Sequence, residues 1–119
     1  MSKLNQTPLR RYKQGKVRAK RRRLAFNLSY KTYLTKLKQG CVYCGVDLLS
    51  IYSGIGLDRL NHRYGYTDKN TAPCCGDCNR LRSDQLTPEE TKMMVDFLRS
   101  LRYIEDNKPV WKRRRYKRR

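Results

Sequence analysis

Apolar residues along this chain are sparse and grouped. Tyr30, Tyr33, Leu34 and Leu37 recur at helical spacing behind Ser29, which predicts a short amphipathic helix capped by Ser29 and ended by Gly40. A second helix is better signalled. Thr87-Pro88-Glu89-Glu90 supplies an N-cap, a proline at the first helical position and a glutamate three residues after the cap. Met93, Met94, Phe97, Leu98, Leu101 and Ile104 then form one apolar stripe, read as core packing. Between these helices the pattern is short-range. Residues 56–60 and 71–74 read as short strands, with Pro73 limiting how the second can pair. Residues 46–56 read as a loop, and residues 61–70 as a polar, turn-rich one around Gly65. A short helix starts at Cys75 or Cys78 and runs through Arg82. There is no internal repeat.

Charge divides the same chain into three. The 119 residues carry a formal +19, and a third of them are charged. Residues 1–46 hold thirteen Lys or Arg and no acid, and residues 108–119 hold eight more, again without an acid. Residues 41–107 hold eight basic and ten acidic residues. The expected organisation is therefore a basic arm over 1–23, interrupted by Pro8 and Gly15, a folded domain over 24–107 and a basic tail over 108–119. Such arms repel themselves and suit a polyanion. Arg18, Lys20, Arg21, Arg22 and Arg23 in the first, and Arg113, Arg114 and Arg115 in the second, are candidate nucleic-acid contacts. Tyr12, Tyr30, Tyr33, Trp111 and Tyr116 interleave with the charges and add stacking to ion pairing. Neither arm offers an apolar face, so a membrane partner is not expected.

A chain this polar builds only a small core, and small domains make up the deficit with metals or disulfides. Five cysteines, no secretory apolar region and no span-length apolar run point to a reducing, cytoplasmic setting. There, Cys41-Val-Tyr-Cys44 and Cys75-Gly-Asp-Cys78 read as a structural Zn²⁺ site, because a two-residue gap lets both sulfurs of a pair reach one ion. Gly45 permits the tight turn of a zinc knuckle. Cys74 is left over. It is an alternative to Cys75 at the poorer Cys-x-x-x-Cys spacing, or a small buried hydrophobe.

The text between the cysteine pairs adds chemistry. Gly56-Leu-Asp58-Arg59, Gly65-Tyr66-Thr67, Asn70 and Pro73-Cys74-Cys75-x-x-Cys78-Asn79-Arg-Leu-Arg82-Ser-Asp84 resemble the HNH endonucleases, also called the His-Me finger or ββα-metal family. The likeness is greatest to the small zinc-bearing branch common in phages and mobile elements. It runs from about Phe26 through the final helix. It implies a zinc-stabilised α+β domain in which a β-hairpin packs on an α-helix with one divalent ion between them. Carried over by position, Asp58 and Asn79 are ligands for Mg²⁺ or Mn²⁺, and Asn70 braces the hairpin loop.

The chain departs from that family at the residue after the hairpin aspartate. The water-activating histidine usual there is Arg59, which stays protonated but can stabilise charge on a phosphate. His62, the sole histidine, is one alternative base, and water deprotonated directly by the metal is another. Arg59, Arg63, Arg80 and Arg82 fall near the implied metal and read as phosphate contacts. The resemblance implies a Mg²⁺-dependent DNA endonuclease with nicking or homing-like activity, monomeric or homodimeric. An alternative is a catalytically inactive HNH-like zinc module that binds DNA or structured RNA.

Overall fold

A computed structural model describes residues 7–51, 54–106 and 108–112. Helix α1, Pro8–Arg21, opens the chain. Strand β1, Phe26–Asn27, and helix α2, Tyr30–Lys38, follow. Strand β2, Leu57–Arg59, pairs antiparallel with β4, Thr71–Pro73, in the register Leu57 to Pro73, Asp58 to Ala72 and Arg59 to Thr71. Between them β3, Tyr66–Thr67, pairs parallel with β1. Helix α3, Gly76–Arg82, leads from β4, and α4, Pro88–Leu101, ends the regular structure. The hairpin, α2, α3 and the capping box of α4 stand where the residue pattern puts them. The side chains of Ser29, Cys75 and Thr87 each accept from a backbone N–H of the first turn. Strands β1 and β3, two residues each, are too short to leave a periodic signal.

Residues 8–21 are not an arm but a docked helix. Thr7 caps α1, Pro8 occupies its first turn, and Arg11, Gly15 and Ala19, four apart, form its buried face. That face carries one cation and two small residues, so it has no apolar stripe to read. Gly15 lets α1 approach closely, since a Cβ there would run into the Ile55 side chain. Arg11 is 2% exposed and donates from Nη1 to Leu48 O at 2.8 Å and from Nε to Gly54 O at 2.9 Å. A cation of the supposed arm thus satisfies carbonyls of the long loop before β2.

The interleaved aromatics belong to the core as well. Tyr12 packs at 5.5 Å from Phe26 and 5.3 Å from Tyr33, and Phe26 at 5.3 Å from Tyr66. These edge and tilted contacts fill the space between α1, α2 and β3, so Tyr12, Tyr30 and Tyr33 are committed to packing rather than to bases.

Helix α4 overturns a second expectation. It meets the domain through Thr91 and Val95, both fully buried, and packs against α3. Met93, Met94, Phe97 and Leu101 stay exposed, and Leu98 alone of that stripe joins the core cluster. Periodicity locates an apolar stripe but does not say whether the chain supplies a layer to cover it. The residues after α4 fold back: Arg99 donates to Glu105 O and Lys108 O, Arg102 donates to Val110 O, and Val110 is buried. Residues 108–112 therefore extend the domain, while Arg113, Arg114 and Arg115 lie outside the described residues.

Replacing Arg11 by Met keeps the bulk but strands two carbonyls. The expected cost is about 2–4 kcal/mol, or roughly 10–20 °C in Tm for a chain of this size, read by thermal denaturation.

Candidate functional site

Two local structures meet at α3. The first is the cysteine cluster. The knuckle at Cys41–Cys44 is closed by Cys41 N–H to Val46 O and Gly45 N–H to Cys41 O. It is tied to the hairpin by Val42 N–H to Pro73 O at 2.8 Å. Cys75 caps α3 and Cys78 lies inside its first turn. The four Sγ atoms of Cys41, Cys44, Cys75 and Cys78 fall within 4.8 Å of one another, all buried, with Cys44 and Cys75 3.7 Å apart. Sulfurs about 2.3 Å from a tetrahedral Zn²⁺ stand roughly 3.8 Å from each other, so the donor set fits that ion.

Thiols packed this closely do not ionise independently. Hydrogen bonding, first from Cys44, holds Cys41 below the usual thiol range. Hydrogen bonding to Cys41 pushes Cys75 and Cys78 above it. Four thiolates require a dication among them. Cys74 stands apart, its thiol donating to Cys75 O at 3.2 Å, and is the buried hydrophobe rather than a ligand. Trp111 completes the surround. Its indole N–H reaches Cys78 Sγ at 3.2 Å, a bond that orients the sulfur and that the sequence does not signal.

The second structure is the seam between hairpin and α3. Asp58 is 1% exposed on β2, and Arg82 is 4% exposed at the end of α3. Arg82 Nη1 donates to Asp58 Oδ1 at 2.6 Å, to Oδ2 at 2.7 Å and to Arg59 O at 2.9 Å, and Nη2 donates to Leu60 O at 2.6 Å. Tyr43, from the knuckle, donates to Asp58 Oδ2 at 2.8 Å. Burial first, and then the Asp58 carboxylate, hold the Tyr43 hydroxyl above its ordinary range, so it remains a donor. Arg82 Nε is buried without a partner among the described residues.

Arg82 is thus a buried clamp across the seam, not a surface phosphate contact. It also changes the reading of Asp58. Asp58 and Asn79 offer the hard oxygen atoms that Mg²⁺ or Mn²⁺ prefer. Here, however, both Asp58 oxygens are engaged and their charge is met by a buried guanidinium, whereas Asn79 is exposed on α3. As arranged, the two side chains do not form an open cation site.

The loop of residues 60–70 sets the remaining groups. Asn70 Oδ1 accepts from Asn61 N–H at 2.9 Å, and its Nδ2 donates to Asn61 O at 3.0 Å and Gly65 O at 2.9 Å. Asn70 therefore ties both ends of the turn. Arg59, on the opposite strand face from Asp58, donates to His62 O and Tyr64 O and lies over the Tyr66 ring at 5.7 Å. Its charge braces the loop instead of facing outward. The same loop swings His62 back to the seam, with Nε2 3.5 Å from Arg82 Nη1 and the residue still exposed. Arg63 and Arg80 are exposed, Arg80 paired with Asp77 at 2.7 Å. Along α1 and its end, Arg10, Lys13, Lys16, Arg18, Lys20, Arg21, Arg22 and Arg23 are all exposed. Arg18, Arg21 and Arg22 rim a cleft of about 250 Å³ floored by Gly15, Ile55 and Tyr66. No helix among the described residues is long and apolar enough to cross a membrane.

Two measurements test these assignments. Chelation of the metal, or Cys78→Ser, is expected to unfold most of the domain and to red-shift the emission of Trp111, the sole tryptophan. Asp58→Ala and Arg82→Ala are each expected to cost roughly 3–5 kcal/mol by leaving a buried charge unpaired, and the double change far less than their sum, by chemical denaturation.

Comparison with known proteins bears on the fold. No protein-family model matches the chain. Over 73 residues it is 36% identical to an uncharacterized protein of Acanthamoeba polyphaga mimivirus, a match spanning 61% of this chain but 14% of that protein's length. Among solved structures it is similar to the rare-cutting HNH restriction endonuclease PacI, with a TM-score of 0.64 over 82% of each chain at 19% identity. With its antiparallel hairpin on α3 and a tetracysteine cluster beside it, the chain has the HNH endonuclease fold.

Proposed function

We propose that this chain is an HNH-type endonuclease acting on DNA phosphodiester bonds, in a nicking or homing-like role. What supports the reading is the HNH fold together with its seam, where His62 Nε2 lies 3.5 Å from Arg82 Nη1, with Arg63, Asn79 and Arg80 exposed and eight exposed cations along α1 and its end. PacI, the solved relative in fold, is described as perturbing DNA, and DNA is the substrate that extends to this chain.

Each side chain has a task under this reading. His62 is the base, being of the residue type that exchanges protons near neutral pH. Arg82, behind it, keeps the imidazole at the seam. Arg63 and Arg80 hold the phosphate. Asn79 orients it from the first turns of α3. Arg59 and Asn70 fix the loop that carries His62. Structural Zn²⁺ holds knuckle to helix. A divalent ion, Mg²⁺ or Mn²⁺, would supply charge stabilisation at a leaving oxygen, but Asp58 does not offer it an open ligand because Arg82 and Tyr43 hold both carboxylate oxygens.

The engaged Asp58 favours a second reading, an inactive HNH-like zinc module that binds DNA or structured RNA. Conversion of supercoiled plasmid with Mg²⁺ or Mn²⁺ separates the two. The endonuclease nicks it, and His62→Ala lowers the rate on the order of 100-fold or more, with Asn79→Ala also slowed. Both side chains are exposed, so zinc content and fold are retained. Tight binding without cleavage selects the module. Asp58→Ala is the poorer probe because it strands Arg82.

Binding itself is expected to follow α1. If about eight cations of α1 and its end meet phosphates, log affinity falls against log salt with a slope of about −7. Replacing Arg18, Arg21 and Arg22 by Ala reduces that slope by about 3 for all sequences alike, measured by fluorescence anisotropy.

A further inference from the structure

The cleft at the end of α1 combines two chemistries, and a DNA backbone alone uses only one of them. Its rim carries Arg18 and Arg21 of α1 and Arg22 just past it. All three are exposed, and none is paired with an acid among the described residues. Its floor of Gly15, Ile55 and Tyr66 is largely apolar. Gly15 brings the helix backbone down onto the Ile55 side chain, so α1 itself closes one wall. Tyr66 is held in place by Phe26, with ring centroids 5.3 Å apart, and by the Arg59 guanidinium 5.7 Å from its own centroid. The floor is therefore formed before any ligand arrives. At about 250 Å³ the cleft lies just below the roughly 300–1,000 Å³ of drug-sized sites. That size suits one small planar group and excludes a helix or a strand.

We propose that this cleft takes one unpaired nucleotide of a DNA strand, its base on the apolar floor and its flanking phosphates on the three guanidiniums. The inference rests on DNA being the ligand of this chain and narrows the substrate class to DNA with an unpaired position. A paired duplex turns its phosphates and sugars outward and keeps its base faces stacked inside. Laid across the cleft, it meets the arginine rim and leaves the floor uncovered. A base freed from its stack offers a flat apolar face to that floor, while the phosphates on either side still meet the rim. Guanidinium planes suit both tasks, because they stack on bases as well as pair with phosphates. An uncharged apolar ligand leaves the rim unmatched, and a bare anion leaves the floor unmatched.

The floor is also joined to the loop of the seam. Arg59, over the Tyr66 ring, donates to His62 O and Tyr64 O. A base seated on Tyr66 thus bears on the side chain that holds the His62 loop. Recognition of the unpaired nucleotide and placement of His62 share one strut.

Fluorescence anisotropy of the zinc-loaded full chain, with no divalent ion added, tests this. Two duplexes with the same number of phosphates are compared, one fully paired and one in which a single base faces an abasic position. The second is expected to bind about 10-fold more tightly, with equal salt slopes because the phosphates are equal in number. Ile55→Gln keeps the bulk and makes the floor polar. It is expected to remove most of that preference while the affinity for the paired duplex stays unchanged. A 5-iodouracil at the unpaired position provides a second measurement on the wild-type chain, and irradiation is expected to crosslink it to the peptide that contains Tyr66. Equal affinity for the two duplexes, a preference that Ile55→Gln leaves intact, or a crosslink elsewhere overturns the proposal and leaves DNA binding standing. Displacement of the strand by excess free deoxynucleoside monophosphate assigns the cleft to free nucleotides and overturns it too. Failure to bind either duplex instead removes the DNA reading itself, and this inference with it.

Discussion

Everything in this molecule is arranged around four thiols that have to share one charge-compensating centre. The knuckle at Cys41–Cys44 and the first turn of α3 are thirty residues apart in sequence, and the cluster joins them within the small core. It sets α3 against the hairpin through Val42 and Pro73, brings Tyr43 to Asp58, and gives Trp111 a sulfur to bond. A chain with a mean hydropathy of −0.93 lacks the apolar area to make these connections by burial alone.

The second resource is arginine used as an internal tie. Arg11, Arg59, Arg82, Arg99 and Arg102 all donate to backbone carbonyls of loops, and two of them are buried. A guanidinium has five donors in a fixed plane, so one side chain closes several loop carbonyls that a small core leaves open. These five arginines therefore brace the domain. Among the described residues, eight exposed cations lie along α1 and its end, on a docked helix.

Much of the fold was legible before any coordinates, because the signals were chemical. Cysteine spacing, the Thr87 capping box and the hairpin text around Asp58 and Asn70 each specify local geometry. The parts that were not legible share a cause. Helix α1 hides because its buried face is Arg11, Gly15 and Ala19, which no hydrophobic pattern marks. The α4 stripe misleads because amphipathicity is a property of the helix, whereas burial is a property of what lies opposite. Arg82 and Asp58 each looked outward-facing, one toward phosphate and one toward a cation, and they satisfy each other. The pairing depends on the last turn of α3 reaching β2, a distance set by the cluster and invisible in sequence spacing. His62 ends near the seam, as the turn-rich loop permits, held there by Asn70 and Arg59.

The docking of α1 has a geometric consequence. Because Arg11, Gly15 and Ala19 fasten that helix to the same body as the hairpin and α3, the cationic face cannot wander relative to His62. Under the proposed function, a duplex held by α1 would meet the seam at a set displacement, as if measured by a ruler. Whatever chemistry occurs there would fall a constant number of base steps from the grip, and lengthening the connection between α1 and β1 would reset that count.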